Sequence, residues 1–168
     1  MTQALVLKPL EPAQLELFAQ QMQESFQQAI SADPGQGQVL PRQDIDQALA
    51  KPGVTPLLAW LADQPVGGAV IFPNEAGGHY ECAFLYVTAD QQKKGLGSQL
   101  WAAVEAYFPQ ASSWELVTPY QEIGNIHFYL RKCGFVITDL FEDETEEADE
   151  EAGPGHNLMF RFHKQLGK

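Results

Sequence analysis

Between an apolar stretch, Glu81 to Val87, and a helix-patterned one, Leu96 to Phe108, the chain carries Gln92-Lys93-Lys94-Gly95-Leu96-Gly97. A strand that turns into a helix there leaves the first-turn N–H groups without intrahelical partners, and their dipoles sum to a partial positive charge. Phosphate oxygens meet both needs. Gly95 and Gly97 let the backbone approach an anion with no Cβ in the way and allow φ > 0, while Lys93 and Lys94 add cationic donors. The bland alternative is an ordinary turn with solvated lysines. Two other phosphate motifs are excluded: Gly97 is followed by Ser98-Gln99 where a P-loop needs Lys-Ser/Thr, and Leu100 stands where a dinucleotide fingerprint needs its third glycine.

The segments around this turn have the spacing of a mixed domain. Leu5-Val6-Leu7 makes a short first strand, and Pro12 to Ile30 repeats apolar residues at Leu15, Phe18, Met22 and Phe26, with proline near the helix start. Pro41 to Ala50, with Ile45 and Leu49 a turn apart, predicts a shorter helix. Thr55 to Leu61 and Val66 to Phe72 read as strands joined by a turn at Ala62-Asp63-Gln64-Pro65, with Gly67 and Gly68 weakening the second. His79 to Val87 feeds the glycine turn. Leu96, Leu100, Val104 and Phe108 then form one core-facing helix stripe. Strand Ser113 to Thr118, helix Ile123 to Lys132, and strands Phe135 to Phe141 and Asn157 to His163 complete the order. The pattern predicts one domain over residues 1–168, α/β (α+β), with a mixed central sheet and helices on both faces.

A chain of 168 residues, 45% hydrophobic and 19% charged, is long enough to bury one core. No apolar run approaches the roughly 20 residues of a membrane span, and the Met1-Thr2-Gln3-Ala4 start lacks a basic and then apolar signal segment. A cytoplasmic protein with no membrane partner is expected. In that compartment Cys82, in a strand, and Cys133, in a helix, are reduced and act as small buried hydrophobes.

The net charge of −12 argues against nucleic acid as a partner. Eight of the 22 acidic residues fall between Glu142 and Glu151, and outside that run ten basic residues face fourteen acidic ones. Such a block is ordinarily a solvated loop; its sharper reading is electrostatic steering of a cationic substrate. It lacks the spacing of an EF-hand loop, and no metal site is expected.

About thirty residues beyond Gly97 stands Asn125-Ile126-His127-Phe128-Tyr129-Leu130-Arg131-Lys132-Cys133-Gly134-Phe135. Together the two motifs resemble the acetyl-CoA-dependent N-acetyltransferase superfamily known as GNAT, in a bacterial branch of unassigned substrate. The resemblance implies that Gln92, Lys93, Lys94, Gly95, Leu96, Gly97 and Ser98 wrap the CoA pyrophosphate. It further implies that backbone groups of Leu85, Tyr86 and Val87 pair with the pantetheine arm, which Asn125 and Tyr129 border. A purely structural role for Asn125 would be to cap its helix. The first two helices would lie over the acceptor site, and a homodimer is implied by the family's habit. One departure stands out: four residues separate Tyr129 from Gly134 where the family has three, so the family's tyrosine falls on Leu130. On a regular helix that offset turns a side chain by about 100°.

Acyl transfer to an ammonium group needs a proton acceptor for the amine and a donor for the departing thiolate. Tyr129 is the candidate acid, since a phenol stays protonated at neutral pH; its structural reading is a packing aromatic beside Phe128. Glu81 is the first candidate base, its placement resembling that of the glutamate in histone-type members. Strand alternation puts it with Ala83, Leu85 and Val87 on an apolar face, where burial raises a carboxyl pKa. Its structural reading is an exposed strand start. Glu115 is the alternative base, and ordered water a third. The expected function is direct acetyl transfer from acetyl-CoA to a primary amine, cationic if the acidic run steers it. An acyl-CoA-binding sensor or interaction protein of the same fold stays open as the alternative.

Overall fold

A computed structural model describes residues 4–29, 40–92, 95–120, 122–142 and 158–166. These build β1 (Leu5–Pro9), α1 (Leu15–Ala29), α2 (Arg42–Leu49), β2 (Thr55–Leu61), β3 (Gln64–Phe72), β4 (His79–Val87), α3 (Leu96–Tyr107), β5 (Ser113–Pro119), α4 (Ile123–Arg131), β6 (Val136–Glu142) and β7 (Leu158–Gln165). The strands form one sheet in the order β1-β2-β3-β4-β5-β7-β6. Every neighbouring pair is antiparallel except β4 and β5. This is the expected mixed α/β sheet. Lys93, Lys94 and all of the acidic run beyond Glu142 lie outside the described residues. Among the described residues no helix is long and apolar enough to cross a membrane.

Each face of the sheet carries its own apolar cluster. Leu100, Trp101 and Val104 of α3 pack on Leu57, Ile71, Trp114 and Phe162, while Phe18 and Met22 of α1 and Ile45 of α2 pack on Leu58, Val70 and Tyr86. Full burial of each such side chain contributes about 1.5–3 kcal/mol. The helical stripes read from sequence are therefore the two faces of the core. Gly67 and Gly68 do more than weaken β3: they admit close neighbours. A Cβ on Gly68 would stand 2.6 Å from the Phe18 ring and 2.7 Å from the Tyr86 ring, and one on Gly67 would stand 2.5 Å from the Tyr86 carbonyl oxygen.

Two irregularities shape the middle of the sheet. First, β4 and β5 pair over only three rungs, His79 with Ser113, Tyr80 with Trp114 and Glu81 with Glu115, and then part. Second, Phe84 opposes Val70 but Cys82 opposes Ile71, so Ala83 is an extra residue, a β-bulge, in β4. The bulge corrects the alternation drawn from sequence. Cys82, Leu85 and Val87 share the α3 and α4 face, whereas Glu81 lies opposite Phe72, whose side chain joins the cluster under α1 and α2. Glu81 does not share a face with Leu85 and Val87, because the inserted residue reverses the phase of everything after it.

The end of α4 resolves the spacing departure. Cys133 donates its N–H to the Phe128 carbonyl at 3.2 Å and Phe135 donates to that of Tyr129 at 3.0 Å, wider turns than the usual i to i−4 bond. Gly134 then reverses the chain at φ 83°, a left-handed conformation that glycine adopts without a Cβ penalty. The extra residue is thus taken up after Tyr129. Tyr129 is 8% exposed and Leu130 38%, so the inward position belongs to Tyr129. Cys133 sits in this terminal turn and not in the helix itself.

Candidate active site

The glycine turn forms as its residues dictate. Gly95 occupies the N-cap of α3 at φ 77°, with no side chain capping the helix, so the first-turn N–H groups remain available to a ligand. Gln92 Nε2 donates to the Val87 carbonyl at 3.1 Å, and Ser25 Oγ donates to the same oxygen at 2.7 Å. The turn, the end of β4 and α1 are thereby tied together. A cleft of about 310 Å³ opens beside them, lined by Leu85, Tyr86 and Val87 of β4, by Gln92, Gly95, Gly97 and Ser98, and by one face of α4. Leu96 is buried in the core at 6% exposure, which leaves only its backbone to take part. At Gly97 the space a Cβ would need is taken by Phe128, 2.9 Å away. That glycine lets α3 and α4 approach each other.

A second cavity, about 260 Å³, lies where β4 and β5 part. Its walls include Cys82 to Leu85 on one strand and Leu116 to Pro119 on the other, and it shares Phe26, Leu85, Asn125 and Tyr129 with the first. The two spaces therefore meet at Tyr129. Burial pushes the Tyr129 phenol well above its ordinary value, with smaller contributions from Cys82, Cys133 and Glu122. Such a group stays protonated and can donate but not accept a proton at neutral pH. Its ring is held by Phe128, Phe135 and Phe162, with centroids 5.4, 5.9 and 5.6 Å away. Among the described residues its hydroxyl has no protein hydrogen-bond partner. Both thiols are buried and free; desolvation drives Cys82 far up and Cys133 up to about 12, so neither is a ready nucleophile.

Glu122 also faces the second cavity. It stands where β5 turns into α4, its N–H bonded to the Pro119 carbonyl at 3.0 Å and its own carbonyl accepting from Ile126 at 3.0 Å. The residue is 6% exposed. Asn125 Nδ2 donates to its Oε2 at 2.9 Å, so Asn125 orients a carboxylate, and the N-cap position belongs to Glu122 itself. Burial raises the Glu122 carboxyl above its ordinary value, partly offset by the Asn125 bond.

Glu81 and Glu115 sit elsewhere. They oppose each other on the last paired rung and line a separate depression with His79, Tyr80 and His163, which shares no lining residue with the other two. Glu115 is drawn toward Arg161 at 3.6 Å. The Glu81 carboxyl is raised by desolvation and then by Glu115. Among the described residues no group of three or more His, Cys, Asp or Glu is arranged to hold a metal.

The structure thus gathers Leu85, Tyr86, Val87, Gln92, Gly95, Gly97, Ser98, Asn125 and Tyr129 around one cleft. Sequence reasoning passed over Ser25, Phe26, Phe128, Lys132 and Glu122. Lys132 and Phe128 had a signal: with Asn125 and Tyr129 they fall at i, i+3, i+4 and i+7, one helix face. Ser25 and Phe26 reach the cleft through the packing of α1 on β4, which has no local signature.

Comparison with known proteins agrees with this geometry. The model of the acetyltransferase (GNAT) family matches residues 16–135. The uncharacterized protein YrkN of Bacillus subtilis (strain 168) is 31% identical over 142 residues, spanning 83% of this chain and 77% of that protein. A Bacillus subtilis acetyltransferase crystallised in complex with CoA is 24% identical with a TM-score of 0.65, covering 98% of this chain and 99% of its own. The ribosomal-protein-S18-alanine N-acetyltransferase of Escherichia coli superposes with a TM-score of 0.72 at 11% identity, over 98% of this chain and 95% of its own. The extent of the family match, together with the glycine turn and parted strands it spans, places the chain in the GNAT family of acetyltransferases.

Proposed function

We propose that the protein moves an acetyl group from acetyl-CoA directly to a primary amine. The observation that carries this reading is the shared wall of the two cavities, where Tyr129 borders both the cleft at the glycine turn and the space between the parted strands. Acetyl-CoA suits the first. A pyrophosphate would accept hydrogen bonds from the backbone of Gly95 to Ser98 at the N-terminus of α3, and the edge of β4 that β5 has left offers strand-like partners to the pantetheine amides around Leu85 to Val87. The B. subtilis neighbour's bound CoA supports the assignment. Acetyl-CoA supplies the activated acyl group. Tyr129 holds a proton at the junction for the departing sulfur, and the amine enters from the second cavity. Holding the two reactants in adjoining spaces that share Tyr129 removes much of the entropic barrier.

Calorimetric titration with acetyl-CoA tests the reading. At Gly95 a Cβ would meet nothing within 4 Å, so Gly95→Glu adds a negative charge at the phosphate cradle with no clash at Cβ. Affinity should fall by at least about tenfold, or 1.4 kcal/mol. Gly95→Ala carries the same backbone strain, about 1–2 kcal/mol, without the charge, and should retain most of the affinity. Failure of folded wild type to bind acetyl-CoA would end this reading. Binding without CoA release to any amine would favour a sensor.

A further inference from the structure

Resting on the transferase reading, we propose that Glu122 is the catalytic proton acceptor, and that the cavity it lines takes a positively charged primary alkylamine. The argument begins with placement. Of the described carboxylates, Glu122 and Asp44 line the cavity that meets the cofactor cleft at Tyr129, whereas Glu81 and Glu115 line a separate one. Glu122 projects from the β5–α4 junction, and Tyr129 sits two helical turns along α4. The pair thus comes from one rigid element, which favours a fixed geometry between proton acceptor and donor.

The local bonding supports the assignment. A carboxylate that is more than nine-tenths buried ordinarily has its charge balanced by a cation or several donors. Glu122 has one neutral donor, Asn125 Nδ2 on Oε2. Among the described residues Oε1 has no donor. No Lys, Arg or His lines this cavity among the described residues, and the second carboxylate, Asp44 of α2, is exposed where Glu122 is buried. An ammonium group would supply the missing positive charge at Oε1, with its alkyl chain against Phe84, Leu116 and Met159. The titratable groups facing Glu122 across this space are Asp44, Cys82 and Tyr129. Burial favours protonation of Glu122, bringing it closer to the amine it must deprotonate.

The transfer balances. Glu122 takes one proton from the ammonium, and the freed nitrogen pair forms the C–N bond to the acetyl carbon as the C–S bond breaks with its electrons on sulfur. Tyr129 gives its proton to sulfur and regains one from the newly acylated nitrogen. Glu122 then returns its proton to water.

The test uses the full-length protein with saturating acetyl-CoA and reads thiol release with 1,4-diaminobutane, n-butylamine and aniline. The diamine should have the highest kcat/KM and aniline the lowest. Glu122→Gln should keep acetyl-CoA affinity by calorimetry and lower kcat with the diamine by about a hundredfold, within the range for general bases. It should also melt higher than wild type at neutral pH. A carboxyl raised by burial favours the folded state fully only below its unfolded pKa, and that contribution is lost as pH rises through the folded value. The uncharged amide escapes this loss and still accepts from Asn125, so the two midpoints should converge as pH falls below the ordinary carboxylate range.

Wild type that does not bind acetyl-CoA would overturn the transferase reading on which this rests. Wild type that binds it but releases thiol fastest to aniline, or to none of the three, would overturn the acceptor assignment alone. Undiminished turnover in Glu122→Gln, or its loss in Glu81→Gln instead, would overturn the role of Glu122. A lower melting point at neutral pH would assign Glu122 a structural role and overturn the proposal equally.

Discussion

Tyr129→Phe is expected to bind acetyl-CoA with wild-type affinity and to release CoA at least about a hundredfold more slowly, the lower end of what a positioned acid contributes. The change removes one oxygen from a ring clamped by Phe128, Phe135 and Phe162. Because the hydroxyl has no protein partner among the described residues, its loss strands no buried donor and should leave the melting temperature nearly unchanged. The effect should therefore fall on kcat and spare binding, a split read by calorimetry beside steady-state thiol release. The raised phenol also has a pH signature: no alkaline decline attributable to Tyr129 should appear near the ordinary tyrosine value. Leu130→Tyr in the Tyr129→Phe background should not restore turnover, since position 130 points outward. Restoration would mean that α4 can rewind to the family register. Wild-type turnover in Tyr129→Phe would reduce Tyr129 to a packing residue.

Gly68→Ala should destabilise the fold by about 3 kcal/mol, the upper part of the usual range for overpacking. The added methyl would meet Phe18, Tyr86 and the Leu57 carbonyl oxygen at 2.6, 2.7 and 2.9 Å. None can yield easily: both rings are buried and packed edge to face at 5.6 Å, and the carbonyl belongs to the neighbouring strand. For a chain of this length the melting midpoint should drop by about 6–12 °C. Tyr86 also lines the cofactor cleft and its hydroxyl donates to Gln21 Oε1 at 3.0 Å, so weaker acetyl-CoA binding should accompany the loss. A drop below about 2 °C, under 1 kcal/mol, would mean that α1 shifts to make room.

The same residues mark how far sequence reasoning reached. Leu100 and Val104, or Phe18 and Met22, announce their helices by spacing alone, because a helix that must bury one face repeats its apolar residues every three or four positions. Gly95 announces a turn because few other residues tolerate positive φ. Asn125 and Tyr129 were legible as members of a cleft. The face of Glu81 was not: it depends on a single extra residue at Ala83, and a bulge leaves the apolar alternation looking intact on either side. The register of Tyr129 was equally hidden, since Gly134 announces the turn but not on which side of Tyr129 the extra residue is taken up. Glu122 gave little warning, as a glutamate just ahead of a helix is ordinarily solvated.

By itself the sequence determined the elements, their order, the glycine turn and the inward stripe of α4, since apolar period and backbone permissiveness are properties of neighbouring residues. Only the tertiary structure decided which carboxylate shares a cavity with Tyr129. That outcome depends on where β4 and β5 stop pairing and on the bulge that β4 makes against β3, and both are set by pairings between strands, which no residue's own neighbours in the chain determine.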